Sequence, residues 1–237
     1  MEALRCRRFW FLISGSNASS RRRPSVSEQS DAIFGRIADR YDLINRILSL
    51  GREQAWRESA ARLLPVGRIL DLGSGTGAAA PVLQSGDVVA LDPVAQMLAL
   101  SSIQLRVVGV GEQLPFADSS FDAVFSAYVF RNLTSVQQTV AEINRVLRPG
   151  GAAAVVDLSR PAHYLARGLH RIGSAVALPL AGLLAGAPSE YWYLHRSLDK
   201  LPPPEVLLGG GPLHLEKVWR MGPLGFVYGA LLRKPRG

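Results

Sequence analysis

Cysteine, lysine and acidic side chains are all scarce in this 237-residue chain. There is one cysteine, Cys6, and three lysines, Lys200, Lys217 and Lys234. A single thiol cannot close an intramolecular disulfide, so the chain is no disulfide-stapled secreted scaffold, and no Cys/His cluster with zinc-ligand spacing is present. A membrane-spanning run is missing as well. From Ile172 through Ala187 no charge appears, but these 16 residues contain Pro179 and fall short of the roughly 18–20 that a spanning helix needs.

Basic residues number 27 against 19 acids, for a net charge of +8. Half of that excess lies in residues 1–30, where Arg5, Arg7, Arg8, Arg21, Arg22 and Arg23 face only Glu2 and Glu28. The remainder is dispersed, with no basic run interleaved with aromatics of the kind that tracks a phosphate backbone, so the reading excludes nucleic acid as a partner. Residues 1–30 are Arg-rich, Ser-rich and acid-poor. Their one apolar stretch, Phe9 to Ile13, is too short for a secretory core, which leaves a disordered extension or an organellar targeting segment. The rest, 48% hydrophobic over the whole chain, suits one domain over residues 31–237 with a substantial core.

Within that domain, Ile33, Phe34, Ile37, Tyr41, Ile44, Ile47 and Leu48 recur at helical spacing, predicting a helical cap over residues 31–64 that stops at Pro65 and Gly67. Short apolar runs follow at Ile69-Leu70, Val88–Leu91, Leu105–Val108, Ala123–Phe125 and Ala153–Val156, each a candidate buried strand. Helical patterns lie between several of them, most clearly Val136 to Leu147, which closes at Pro149-Gly150-Gly151. Alternating strands and helices imply a mostly parallel α/β sheet with helices on both faces and a ligand beyond the strands' carboxyl ends. Apolar alternation over Leu213–Trp219 and Phe226–Leu232 predicts a closing antiparallel hairpin, for seven strands in all, with a short helix at about residues 204–208 before it.

The segment Ile69-Leu70-Asp71-Leu72-Gly73-Ser74-Gly75-Thr76-Gly77 runs from a strand into a predicted helix start. Gly73, Gly75 and Ala78 formally satisfy a dinucleotide fingerprint. Two features point elsewhere. Asp71 at the strand end would repel a pyrophosphate but suits the cationic part of S-adenosyl-L-methionine, and Gly77 makes a tighter turn. Asp92 ends the next strand about 20 residues on, where a carboxylate hydrogen-bonds ribose hydroxyls.

Several further stretches give the sequence a specific resemblance. They are Phe34 to Asn45, Leu48-Ser49-Leu50-Gly51 with Trp56-Arg57, Asp71 to Gly77, Leu114 to Asp122, Phe130-Arg131-Asn132-Leu133, Arg145 to Gly151, Ser159-Arg160-Pro161, Leu178-Pro179-Leu180 and Tyr191 to Leu194. In order and spacing they resemble the class I, Rossmann-like methyltransferases and, more narrowly, the quinone C-methyltransferase family, over roughly residues 31–198. The Tyr-Asp-x-x-Asn and Arg-Asn pieces are the family-specific ones. The chain departs from the family pattern at Ala78 (usually Asp), at Val110-Gly111 (often an Asn or Asp that reads the adenine) and across Ala127 to Phe130, and the segment between Asp92 and Gly109 is short.

The resemblance implies S-adenosyl-L-methionine-dependent C-methylation of a prenylated quinol, either demethylmenaquinol or the benzoquinol of the ubiquinone pathway. The cofactor would be held by Tyr41, Asp71, Gly73, Gly75, Thr76, Gly77, Asp92, Val110, Gly111 and Ala127. Methylating a ring carbon calls for a stabilised phenolate, and the resemblance assigns that role to Arg131 and Asn132, with Tyr191 in the catalytic pocket. The competing reading for Arg131 is a structural pairing with a carboxylate. His163 and His195 are candidates for a base, although a lone histidine on a helix usually is not one, and no residue stands out as general base. Residues 160–200 read either as an apolar lid that rests on the bilayer, with Arg167 and Arg171 at its edge, or as a buried helical segment. No metal is expected, and a homodimer is left open. The expected location is cytoplasmic and peripheral to the membrane, or organellar if residues 1–30 are a transit peptide. The alternatives are a methyltransferase for another small apolar acceptor, such as a phenol or sterol, and a non-catalytic module that binds the cofactor.

Overall fold

The computed structural model describes residue 49 and residues 51–83, 86–161, 163–185, 198 and 202–236. Its architecture grows from the buried apolar runs. Strands β1 (Arg68–Leu72), β2 (Asp87–Asp92), β3 (Leu105–Val108), β4 (Phe121–Ala127), β5 (Leu147–Leu158), β6 (His214–Met221) and β7 (Val227–Arg233) form one seven-stranded sheet in the order β3-β2-β1-β4-β5-β7-β6. The first five are parallel, and β7 runs antiparallel between β5 and β6. The strand order reverses between β1 and β4, which sets a ligand crevice beyond their carboxyl ends.

Because side chains alternate across a strand, the sheet divides its residues between two cores. Leu70, Leu72, Val124, Ala153, Val155 and Tyr228 join Val136, Val140, Ile143 and Val146 of the helix Val136–Val146 and Leu208 of the short helix Pro204–Leu208. Ile69, Ala123, Phe125, Ala154 and Val156 face the other way, onto Trp56 and Ala60 of the helix Glu53–Ala61. We number these helices in chain order: α1 (Glu53–Ala61), α2 (Ala95–Ala99), α3 (Val136–Val146), α4 (Tyr164–Ala185) and α5 (Pro204–Leu208). The Ser135 side chain caps α3 by accepting from the Gln138 amide at 3.2 Å, and the buried positions of this helix recur every three to four residues. Each fully buried aliphatic side chain contributes about 1.5–3 kcal/mol relative to exposure.

The structure departs from the sequence expectation at two places. After the glycine turn there is no regular helix, only turns and a single 3₁₀ turn, Ala80–Val82. Pro81 supplies no N–H there, and Gly86 already leads into β2. The uncharged stretch is not broken at Pro179 either: α4 continues through it to Ala185, although a helical proline forgoes one backbone hydrogen bond. Among the described residues, no helix is long and apolar enough to cross a membrane. The predicted cap over 31–64 is described only in its last part, where α1 lies. Residues 1–48, and with them Tyr41 and the tail, fall outside the described residues, as do Tyr191 and His195.

Candidate active site

At the end of β1 the chain must turn sharply over the end of β2. Gly73, Gly75 and Gly77 all adopt positive φ, at 70°, 55° and 79°. The Gly73 and Ser74 amides both donate to the Leu91 carbonyl, at 2.7 and 3.0 Å, and the Gly77 amide donates to the Ser74 carbonyl at 2.9 Å. A Cβ on Gly73 would fall inside the Val129 side chain, so both conformation and space require glycine there.

Asp92 fastens the turn from the neighbouring strand. Its Oδ2 accepts from the Gly75 amide and its Oδ1 from the Val94 amide, each at 2.9 Å. Asp71 is only 2% exposed. Burial pushes its carboxyl up to about 6, with Ser74 and the charge of Arg57 pulling the other way and Asp92 adding to the rise. Such a group favours a cationic ligand that restores its ionised form.

One cavity joins these elements. Its wall includes Asp71, Gly73, Ser74, Gly75, Thr76 and Asp92 from β1, the turn and β2, Val110, Gly111 and Glu112 after β3, Ala127, Tyr128, Val129 and Asn132 from the end of β4 and beyond it, and Arg57 from α1. Ten of the sequence-predicted site residues lie among the described residues outside the Arg131 position and the tyrosines already named; of these, Gly77 alone is not on the wall, since it closes the turn behind it. Glu112 is tied to the start of α3, accepting from the Thr134 amide at 2.7 Å and the Ser135 amide at 3.2 Å.

Arg131 sits in the 3₁₀ turn Phe130–Asn132 and is not among the residues lining the cavity. Its Nη1 donates to Asp157 Oδ1 at 3.0 Å and to the Tyr128 carbonyl at 3.1 Å. Asp157 is fully buried, and burial raises its carboxyl's pKa against the opposing pull of Arg131. Asn132, the next residue, does line the cavity. His163 stacks on Tyr164, with ring centroids 4.9 Å apart.

Sequence reasoning assigned no role to Arg57, Ser74 or Tyr128, although all three line the cavity. The available signal for Arg57 was a cation beside Trp56 on the apolar side of a helix. Tyr128, at a φ of 66°, had no signal.

Buried polar atoms on this wall that have no hydrogen-bond partner among the described residues include Arg57 Nη1, Asp71 Oδ2, Ser74 Oγ and Asn132 Oδ1. Buried polar atoms are normally paired. A ligand carrying both charge signs and hydroxyl groups, as S-adenosyl-L-methionine does, fits this donor and acceptor set.

The sheet order, the glycine turn and the acids ending β1 and β2 define a class I S-adenosyl-L-methionine-dependent methyltransferase. The chain belongs to the ubiE/COQ5 methyltransferase family, whose model matches residues 23–209. It is 37% identical over 207 residues to a demethylmenaquinone methyltransferase of Deinococcus radiodurans, an alignment covering 78% of this chain and 86% of that protein. It is 35% identical over 195 residues to a ubiquinone/menaquinone biosynthesis C-methyltransferase of Geotalea daltonii, covering 74% and 82%. Among solved structures, a SAM-dependent methyltransferase from Thermotoga maritima shares the fold with a TM-score of 0.58 at 19% identity, over 86% of this chain and 99% of that one.

Proposed function

We propose that the chain methylates a ring carbon of a prenylated quinol, demethylmenaquinol first among the candidates and the benzoquinol of the ubiquinone pathway second. The observation that carries this reading is the 37% identity to a demethylmenaquinone methyltransferase over most of both chains.

When bound, the cofactor supplies a methyl group on a sulfonium whose leaving group is a neutral thioether. The chain's contribution is therefore alignment and activation of the acceptor. A quinol carbon becomes nucleophilic as the neighbouring hydroxyl loses its proton to solvent; an electron pair of the ring then forms the new carbon–carbon bond, and the ring proton passes to solvent to restore aromaticity. Asn132 Oδ1, on the cavity wall, accepts from that hydroxyl before its proton leaves and so holds the ring in line. Arg131 acts from behind as a positioning residue: paired with Asp157 and bonded to the Tyr128 carbonyl, it fixes the turn that presents Asn132 to the acceptor.

The prenyl chain is reached through α4. Tyr164, Leu165, Leu169 and Ile172 are exposed on it, interspersed with Arg167 and Arg171 and with no acid in the helix. That pattern suits an anionic bilayer surface. Purified protein, labelled cofactor and demethylmenaquinol in vesicles should yield labelled menaquinol. Cofactor binding without transfer to either quinol, but with transfer to a simple phenol or sterol, would overturn the acceptor assignment.

A further inference from the structure

We infer that Arg57 is the anchor for the α-carboxylate of the bound cofactor, and that it and Asp71 together recognise the cofactor's amino-acid end as a zwitterion. The inference rests on the cofactor assignment and is independent of the acceptor.

Three observations carry it. First, Arg57 is 4% exposed on the wall of the cavity, and its Nη1 has no hydrogen-bond partner. A buried guanidinium donor without an acceptor is costly unless a ligand supplies one. Second, the guanidinium lies over the Tyr128 ring, 5.3 Å from its centroid. The aromatic contact takes one face of the guanidinium and leaves its donors in their own plane, where a carboxylate binds them side by side. Third, Asp71 is the matching acid. Its side chain lies on the same face of β1 as Ile69, which packs in the core with Trp56 of α1, and its Oδ2 is likewise unpartnered.

Local structure fixes this pairing of opposite charges. Gln54, one helical turn before Arg57, donates through Nε2 to the Ala78 carbonyl at 2.7 Å, which holds α1 on the glycine turn. Arg57 and Asp71 thus stand on two elements joined across that turn. Between them fit an ammonium, received by Asp71, and a carboxylate, received by Arg57.

The experiment is calorimetric binding of S-adenosyl-L-methionine and of its decarboxylated analogue, which keeps the ammonium and the sulfonium, to the full chain and to Arg57→Gln and Arg57→Lys. The wild-type protein should bind the carboxylate-bearing cofactor ~10–100-fold more tightly than the analogue, the range expected for a charge-assisted pair. In Arg57→Gln that preference should collapse to near unity while analogue binding is retained, and the retained binding also shows that the pocket is folded. Arg57→Lys should restore part of the preference. Equal binding of both compounds by the wild-type protein overturns the inference without any variant, and so does an undiminished preference in Arg57→Gln. Failure of the wild-type protein to bind either compound instead overturns the cofactor assignment, and this inference with it.

Discussion

Arg131 and Asp157 form a buried ion pair, Nη1 to Oδ1 at 3.0 Å, with side chains 9% and 0% exposed. The two belong to different elements, the 3₁₀ turn after β4 and the end of β5. Asp157 also accepts from its neighbour's amide, Leu158 N, at 2.7 Å. Removing the acid leaves an uncompensated guanidinium in a nearly dry site, and breaking a buried pair in that way costs about 3–5 kcal/mol. Asp157→Ala should therefore lose roughly that much in urea unfolding. The double variant Arg131→Met, Asp157→Leu should recover most of the stability while methyl transfer stays low. Full activity in the folded double variant would remove Arg131 from the catalytic scheme.

Asp71 gives the protein two opposed pH dependences. Its carboxyl is raised from the ordinary 3.8 to about 6, so the folded chain without ligand holds this proton more tightly than the unfolded chain does. Between pH 4 and 6 stability should fall as pH rises, by a total on the order of 3 kcal/mol from this group. Cofactor binding runs the other way, because only ionised Asp71 attracts a cation, and affinity should climb through pH 6. Asp71→Asn should abolish both trends; denaturant midpoints and calorimetric titrations across pH 4.5–7.5 measure them.

Gly73→Ala tests the turn. The substitution places a Cβ in the Val129 side chain and imposes a left-handed conformation on a non-glycine residue, so cofactor affinity should fall by more than tenfold. Adding Val129→Ala removes the clash and leaves the backbone cost of roughly 1 kcal/mol, so the pair should recover only part of the affinity in equilibrium binding.

Asn132→Ala separates acceptor chemistry from cofactor binding. Its Oδ1 is unpartnered on the cavity wall, and an interaction made with the acceptor's hydroxyl should appear as a ~10–100-fold loss in kcat/KM. Binding of the demethylated cofactor product should change by less than about threefold. A large loss in that binding with kcat preserved would move Asn132 from the acceptor to the cofactor.

Much of this molecule was legible before folding because it depends on short-range rules. The five apolar runs became β1 to β5, since a parallel strand needs little more than consecutive apolar residues; Leu105–Val108, expected to be buried, is instead the edge strand β3, and Leu105 and Val108 are exposed because no strand covers that edge. Asp71, the glycines and Asp92 marked the turn and the cavity beside it, since a turn at a strand end demands positive φ and the acids sit at fixed steps from it. The helix expected after the turn was misread because a single proline, Pro81, outweighs the helix-favouring alanines around it.

What the sequence by itself determined is the order of strands and helices, the glycine turn and the two acids that end β1 and β2. Only the tertiary structure decided which face of β1 Asp71 shares with α1, that Arg57 enters the same cavity, and that Arg131 spends its charge on Asp157 while Asn132 meets the cavity. These outcomes join residues 14 to 26 positions apart along the chain. Their pairing is set by strand order, pleat and helix packing, which no local pattern encodes.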